Sequence, residues 1–143
     1  MFIGEYQHNL DDKNRLSIPA KFRANLAGGC IVTRGLDRCL WIYPLDVWRS
    51  FAEKVSKLPI TQKDARSFSR LMLAGATDAE LDKSGRLVIP KYLLEYAGVK
   101  AKVSVNGLYD RIEIWPEESW QEFKKDMEGN SDEIAEKLNE LML

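Results

Sequence analysis

The sequence predicts a mixed, mainly β fold: two tandem copies of one strand, turn, strand and helix unit that share a core, with helices around it. Three observations predict it. The stretch Leu10-Asp11-Asp12-Lys13-Asn14-Arg15-Leu16-Ser17-Ile18-Pro19 returns seventy-one residues later as Leu81-Asp82-Lys83-Ser84-Gly85-Arg86-Leu87-Val88-Ile89-Pro90, with six of ten positions identical. Six ordered matches that include a proline mark an internal repeat. Within the first copy apolar and polar residues alternate at strand spacing, Leu16 and Ile18 on one face and Arg15 and Ser17 on the other. Finally, Pro19, Pro44, Pro90 and Pro116 each open a run of helical character, where a missing N–H costs nothing.

The elements follow in order. Phe2, Tyr6 and Leu10 stand apolar among polar neighbours and mark a first strand. Asp11-Asp12-Lys13-Asn14 is a polar turn, and Arg15 to Ile18 resumes the strand, so a local hairpin is expected. Pro19 opens a short helix to about Leu26, stopped by Gly28-Gly29. Strands follow at 30–33 and 39–43. Pro44 starts a longer helix to about Leu58, with Val47, Trp48, Phe51 and Val55 at core spacing. Thr61 with Asp64 resembles a capping box for a connecting helix that runs to Gly75. The second copy repeats the plan, with strands at about 101–105 and 111–115. At an offset of seventy-two, Gly35, Leu36, Ile42, Pro44, Trp48 and Phe51 match Gly107, Leu108, Ile114, Pro116, Trp120 and Phe123. The Trp48/Trp120 and Phe51/Phe123 pairs read as core. A last helix over 131–142, capped by Ser131, carries Ile134, Leu138 and Leu141.

The expected organisation is a first repeat at 1–58, a helical connector at 59–76, a second repeat at 77–127 and an acidic C-terminal helix at 128–143. Each half is too small to bury a sheet by itself, so the halves are expected to pair over one core about a pseudo-two-fold axis. That pairing would set the two Asp-turn-Arg hairpins in related surface positions.

Composition narrows the function classes. The net charge of −1 is a poor guide, because it is unevenly spread. Residues 117–143 hold nine acids and three lysines, a balance of −6, while residues 1–116 hold eighteen bases and thirteen acids, a balance of +5. No run of eighteen apolar residues exists to span a membrane, and the first residues lack the regions of a signal peptide, so a cytoplasmic address is expected. Cys30 and Cys39 read as two buried thiols in a reducing compartment, with a disulfide or metal pair as the alternative. His8 is the only histidine. No metal, cofactor, catalytic residue or small-molecule substrate is expected: there is no Gly-rich phosphate loop, no G-x-S-x-G and no Cys-His constellation. The repeated Asp pair makes a poor acid–base dyad, because such chemistry needs two carboxyls in different environments.

Two copies of D-x-x-x-R followed by an apolar residue and Ile-Pro, at Asp11/Arg15 and Asp82/Arg86, resemble the MraZ family of the AbrB-like (SpoVT-AbrB) superfamily. The start Met-Phe-Ile-Gly-Glu-Tyr, the size and the tandem arrangement are similar too, over residues 1 to about 125. The resemblance implies a double-split, swapped-hairpin β-barrel built from the chain's own two repeats, with helices around it. It implies a ring-like homo-oligomer. It also implies a nucleoid-associated transcriptional regulator, a repressor, that binds short direct repeats upstream of the division and cell-wall gene cluster containing its own gene. Superfamily members also serve as antitoxins, which keeps a protein-interaction module open as the second reading.

The chemistry of the hairpins suits double-stranded DNA. Arginine contacts a guanine edge with two parallel hydrogen bonds or bridges phosphates, which nominates Arg15 and Arg86. Lys13 and Lys83 at the turn tips suit phosphates, and Lys21 and Arg23 extend the basic surface. Asp11 and Asp82 would repel phosphate if they faced it, so they are expected to orient the loops. A lone D-x-x-x-R is equally a salt bridge that fixes a hairpin, worth ~0.2–1 kcal/mol. The acidic tail, read as helical, suggests packing or oligomer contacts.

Overall fold

A computed structural model describes residues 1–141. Eight strands, β1 (Phe2–Asn9), β2 (Arg15–Ser17), β3 (Cys30–Arg34), β4 (Leu40–Pro44), β5 (Thr77–Ala79), β6 (Arg86–Val88), β7 (Lys102–Tyr109) and β8 (Arg111–Pro116), alternate with helices. The α-helices are α1 (Ala20–Arg23), α2 (Leu45–Ser56), α3 (Lys63–Ser69), α4 (Lys91–Ala97), α5 (Glu117–Gly129) and α6 (Ser131–Leu138). A 3₁₀ turn at Ala24–Leu26 extends α1, and a π turn at Arg70–Ala74 extends α3.

Each of the four prolines stands one position earlier than expected. Pro19, Pro44, Pro90 and Pro116 keep φ between −50 and −59 with extended ψ, and the helix starts on the next residue. Gly98 closes α4 in the left-handed region. Two expected caps do not form. Gln62, not Thr61, precedes α3 without a side-chain bond. Ser131 is already inside α6, and its hydroxyl donates back to the Glu128 carbonyl at 3.5 Å. The last helix ends in a 3₁₀ turn at Asn139–Leu141; the final residue of the expected 131–142 helix lies outside the described residues.

Strand pairing departs most from the local reading. Beyond one bridge between Leu10 and Leu16, β1 does not continue as a hairpin with β2. Instead β1 runs antiparallel along β7, from Phe2 opposite Tyr109 to Asn9 opposite Lys102. In the same way β5 joins β3. Each half of the sheet therefore has an edge strand from the other repeat, in the order β1-β7-β8-β4-β3-β5. β2 pairs only with β6.

These are an open six-stranded antiparallel sheet and a separate two-stranded one, so the closed barrel implied by the resemblance is not formed. With three residues each, β2 and β6 offer too short a ladder to join the two sheets at both edges.

The two repeats meet about a pseudo-two-fold axis. Leu16 lies opposite Leu87, its own repeat equivalent, and Trp41 lies opposite Glu113, equivalent at the offset of seventy-two. The ladders also refine the alignment. Cys30 faces Pro44 as Val103 faces Pro116, so β3 and β7 correspond at seventy-three, and the Gly35/Gly107 and Leu36/Leu108 matches are not structural equivalents.

One core under the sheet draws on both halves: Leu16, Ile18, Phe22, Val32 and Ile42 pack with Leu87, Ile89, Leu93, Val105 and Ile114. Phe2 and Tyr6 meet Phe22 edge-on, with ring centroids 5.2 and 5.5 Å away. The opposite face carries an aromatic cluster around Trp41, Tyr43, Met72 and Trp115. Cys30 and Cys39 are both free and buried, and burial pushes the Cys30 thiol up to about 12. Among the described residues no helix is long and apolar enough to cross a membrane.

Candidate nucleic-acid interface

The two D-x-x-x-R turns fold identically. In the first, Asp11 Oδ1 accepts from the backbone N–H groups of Lys13 and Arg15, both at 2.9 Å, and Oδ2 accepts from Arg15 Nε at 2.7 Å. In the second, Asp82 Oδ1 accepts from the N–H groups of Ser84 (2.8 Å) and Arg86 (2.9 Å), and Oδ2 from Arg86 Nε at 2.9 Å. A carboxylate at the head of the turn thus does three jobs: it ties the turn tip, the strand start and the arginine stem. The backbone closes both turns alike, with Asp11 N–H to Arg15 C=O at 3.0 Å and Asp82 N–H to Arg86 C=O at 2.9 Å.

The spacing follows from this geometry. The residue just before each arginine must turn left-handed, and Asn14 (φ 59) and Gly85 (φ 77) both do. Asparagine and glycine are the residue types that tolerate it.

Pairing of β2 with β6 then brings the two turns together. Ile18 N–H donates to the Gly85 carbonyl and Ile89 N–H to the Asn14 carbonyl, each at 2.9 Å, so each turn is locked to the strand leaving the other. Arg15 lies opposite Val88 and Ser17 opposite Arg86. Alternation puts these four side chains on one outer face, while Leu16 and Leu87 point into the core. The result is a single platform with one arginine from each repeat.

The arginines are held but not consumed. Their Nε atoms are spent on Asp11 and Asp82, while among the described residues their terminal guanidinium nitrogens have no hydrogen-bond partner. Both carboxyls are held below the usual aspartate range, first by the N–H of Arg15 or Arg86 and further by the guanidinium. They are therefore ionised at neutral pH, and the salt-bridged turns persist there.

The other nominated cations separate. Lys13 and Lys83 are exposed at the turn tips, as expected. Lys21 is exposed too, with Nζ 5.8 Å from the Tyr6 ring centroid. Arg23 is instead a strut: its Nε donates to the Ile18 carbonyl at 2.9 Å, and its guanidinium lies against Gly85, where a Cβ would come within 2.2 Å of Nε.

Comparison with known proteins now bears on this platform. The family model described as "MraZ protein, putative antitoxin-like" matches residues 1–71 and again residues 72–141. Proteins described as "Transcriptional regulator MraZ" align over nearly their whole length. The one from Clostridium beijerinckii is 50% identical over 141 residues, covering 99% of both chains. Those from Clostridium tetani and Caldanaerobacter subterraneus are 48% and 46% identical, covering 99% and 97% of both chains. The chain belongs to the MraZ family.

Within this MraZ chain, sequence reasoning missed two members of the platform. Val88 is 60% exposed although it is a large aliphatic in a strand, and Ser17 is its pseudo-symmetric counterpart. The signal was available: Val88 stands at the polar position of the alternation that Ser17 fills in the first copy. Without knowing that β2 pairs with β6, nothing in the sequence connected either residue to the arginines.

Proposed function

We propose that this MraZ-family chain is a transcriptional regulator that binds double-stranded DNA sequence-specifically through the paired D-x-x-x-R turns. One observation carries the reading: Arg15 and Arg86, each anchored at Nε by an aspartate, share one outer face, with their terminal nitrogens unpaired among the described residues. That geometry suits bidentate contact with a guanine edge or a bridge between phosphates. Lys13 and Lys83 supply phosphate contacts, with Lys21 extending the surface. Asp11 and Asp82 orient the arginines, and Arg23 supports the second turn from behind. Val88 offers an apolar contact of the kind a thymine methyl accepts.

The names of the relatives support the regulatory role. The family resemblance supplies the target: short direct repeats upstream of the division and cell-wall gene cluster that includes its own gene, read by a repressor on the nucleoid in the cytoplasm. A platform with two arginines binds weakly by itself. Several platforms on one homo-oligomer, engaging repeated boxes, gain effective concentration without new contacts.

The second reading is a protein-interaction module, favoured by the antitoxin-like wording of the family description and by the exposed apolar stripe of α6. Mobility-shift titration against the promoter region of the chain's own operon, at stated salt, separates them. The DNA reading expects a shift well below the protein concentration needed for random DNA. Equal affinity for both DNAs, with one small protein partner co-purifying at fixed stoichiometry, would favour the module.

A further inference from the structure

The two D-x-x-x-R turns match in their hydrogen bonds but not in what stands behind them. Behind the second turn three contacts close a small circuit. Ile18 N–H donates to the Gly85 carbonyl at 2.9 Å, and the Ile18 carbonyl accepts from Arg23 Nε at 2.9 Å. The Arg23 guanidinium then packs on the Gly85 backbone, where an added Cβ would overlap its Nε, Cζ and Cδ atoms. Ile18 and Gly85 are both buried, and Arg23 is half-buried over them. A charged donor on a backbone carbonyl makes a hydrogen bond stronger than the neutral kind.

The first turn has no such backing. Ile89 N–H donates to the Asn14 carbonyl at 2.9 Å, as the pseudo-symmetry requires. The position that corresponds to Arg23 at the repeat spacing of seventy-one is Leu94, and Leu94 is buried in the shared core. No guanidinium can reach Asn14 from there.

The difference in backing goes with a difference at the turn itself. Each turn needs a left-handed residue just before its arginine, Asn14 in one and Gly85 in the other. Asparagine restricts its own backbone, whereas glycine enters positive and negative φ about equally and has more freedom to lose. Freedom at Gly85 passes directly to Arg86, whose N–H and Nε both bond to Asp82 across the same turn. Arg23, pinned at the Ile18 carbonyl, restrains Gly85 from behind. The restraint works only because residue 85 has no side chain.

We infer that Arg23 is a positioning residue for the second turn: acting through Gly85 and without touching DNA, it holds Arg86 in place on the platform. A side chain of the first repeat thus sets the base contact made by the second. The first turn is restrained from within by Asn14, so loss of Arg23 disables Arg86 and spares Arg15. The inference rests on the DNA reading above and assigns separate supports to its two arginines.

Two measurements test it. The first is a titration of promoter DNA at fixed salt with Arg23→Ala made in three backgrounds: wild type, Arg15→Ala and Arg86→Ala. The expected loss of specific affinity is about 5-fold or more in the first two and less than about 2-fold in the third, because coupled residues are not additive. Arg23→Gln keeps an N–H donor where Nε stands and drops the charge. It is expected to bind within about 2-fold of wild type, whereas a phosphate contact would be lost in Gln and Ala alike and would weaken random DNA equally. The second measurement needs no DNA. Solvent exchange of the arginine Nε–H groups, read by NMR, should quicken about 5-fold or more for Arg86 in Arg23→Ala and stay unchanged for Arg15. Should Arg23→Ala perturb the far-UV CD, Arg23→Met, which has the shape of Gln without the donor, replaces it.

An equal loss in the Arg86→Ala background, a Gln variant as weak as Ala, or Arg86 exchange unmoved by Arg23→Ala would each overturn the inference. A wild type that binds promoter and random DNA alike would instead sink the DNA reading, with the Arg86 exchange still deciding whether Arg23 braces the turn. The two failures are therefore distinguishable.

Discussion

Gly85 carries two constraints where Asn14 carries one. Both residues turn left-handed, but only Gly85 has a guanidinium, that of Arg23, packed against its Cα. Gly85→Ala therefore adds a Cβ at an unfavourable φ and displaces Arg23 from the Ile18 carbonyl. We expect a loss of ~1–3 kcal/mol in urea unfolding, while Asn14→Gly stays within ~1 kcal/mol of wild type. The repeat itself showed Asn14 and Gly85 at matching positions, but the reason for the glycine was not legible, because Arg23 reaches it only in the folded chain. The acid response is set by Asp11 and Asp82. Their folded pKa values are depressed, so the stability they confer is complete above the unfolded aspartate value of about 4 and is lost as pH falls through the lower folded values. Urea midpoints measured from pH 6 to pH 3 should drop further for wild type than for Asp11→Asn with Asp82→Asn. Parallel profiles would show that the turns contribute nothing ionic.

At the scale of elements, the alternation of Arg15 to Ile18 and the proline before each helix were readable, and strands and helices fall close to their expected places. The partners of the strands were not readable. A turn as tight as 11–14 argues for a local hairpin, yet β1 pairs with β7 over eight residues and β5 with β3 over three, and the long β1–β7 ladder satisfies more backbone than three-residue β2 could offer β1. The same non-local choice makes the β2–β6 pair the joint of the molecule. Leu16 and Leu87 meet there, both fully buried. Leu16→Ala or Leu87→Ala should each cost ~2–5 kcal/mol in denaturant unfolding. Because the two side chains belong to one contact, the double variant should depart from additivity by ~0.5–3 kcal/mol. Strict additivity would mean that the two turns are not energetically joined.

For the whole molecule, duplication explains more than either half does. The two repeats build one core and exchange edge strands, and the exchange sets two otherwise ordinary salt-bridged turns side by side as one basic platform. The net charge concealed this, since the acidic residues after Pro116 offset the basic body. The Asp-turn-Arg motif was legible from its repetition. The platform was not, because it depends on the register that puts Val88 and Ser17 between the arginines. The most direct measurement is a binding titration of the promoter DNA by wild type and by Arg15→Ala with Arg86→Ala, at fixed salt, with far-UV CD and mass checked in parallel. A bidentate arginine–guanine pair contributes ~1–3 kcal/mol, so removal of both predicts a loss of specific affinity of at least ~30-fold with fold and assembly intact. Undiminished binding by the double variant would contradict the account and leave the turns as structural devices only.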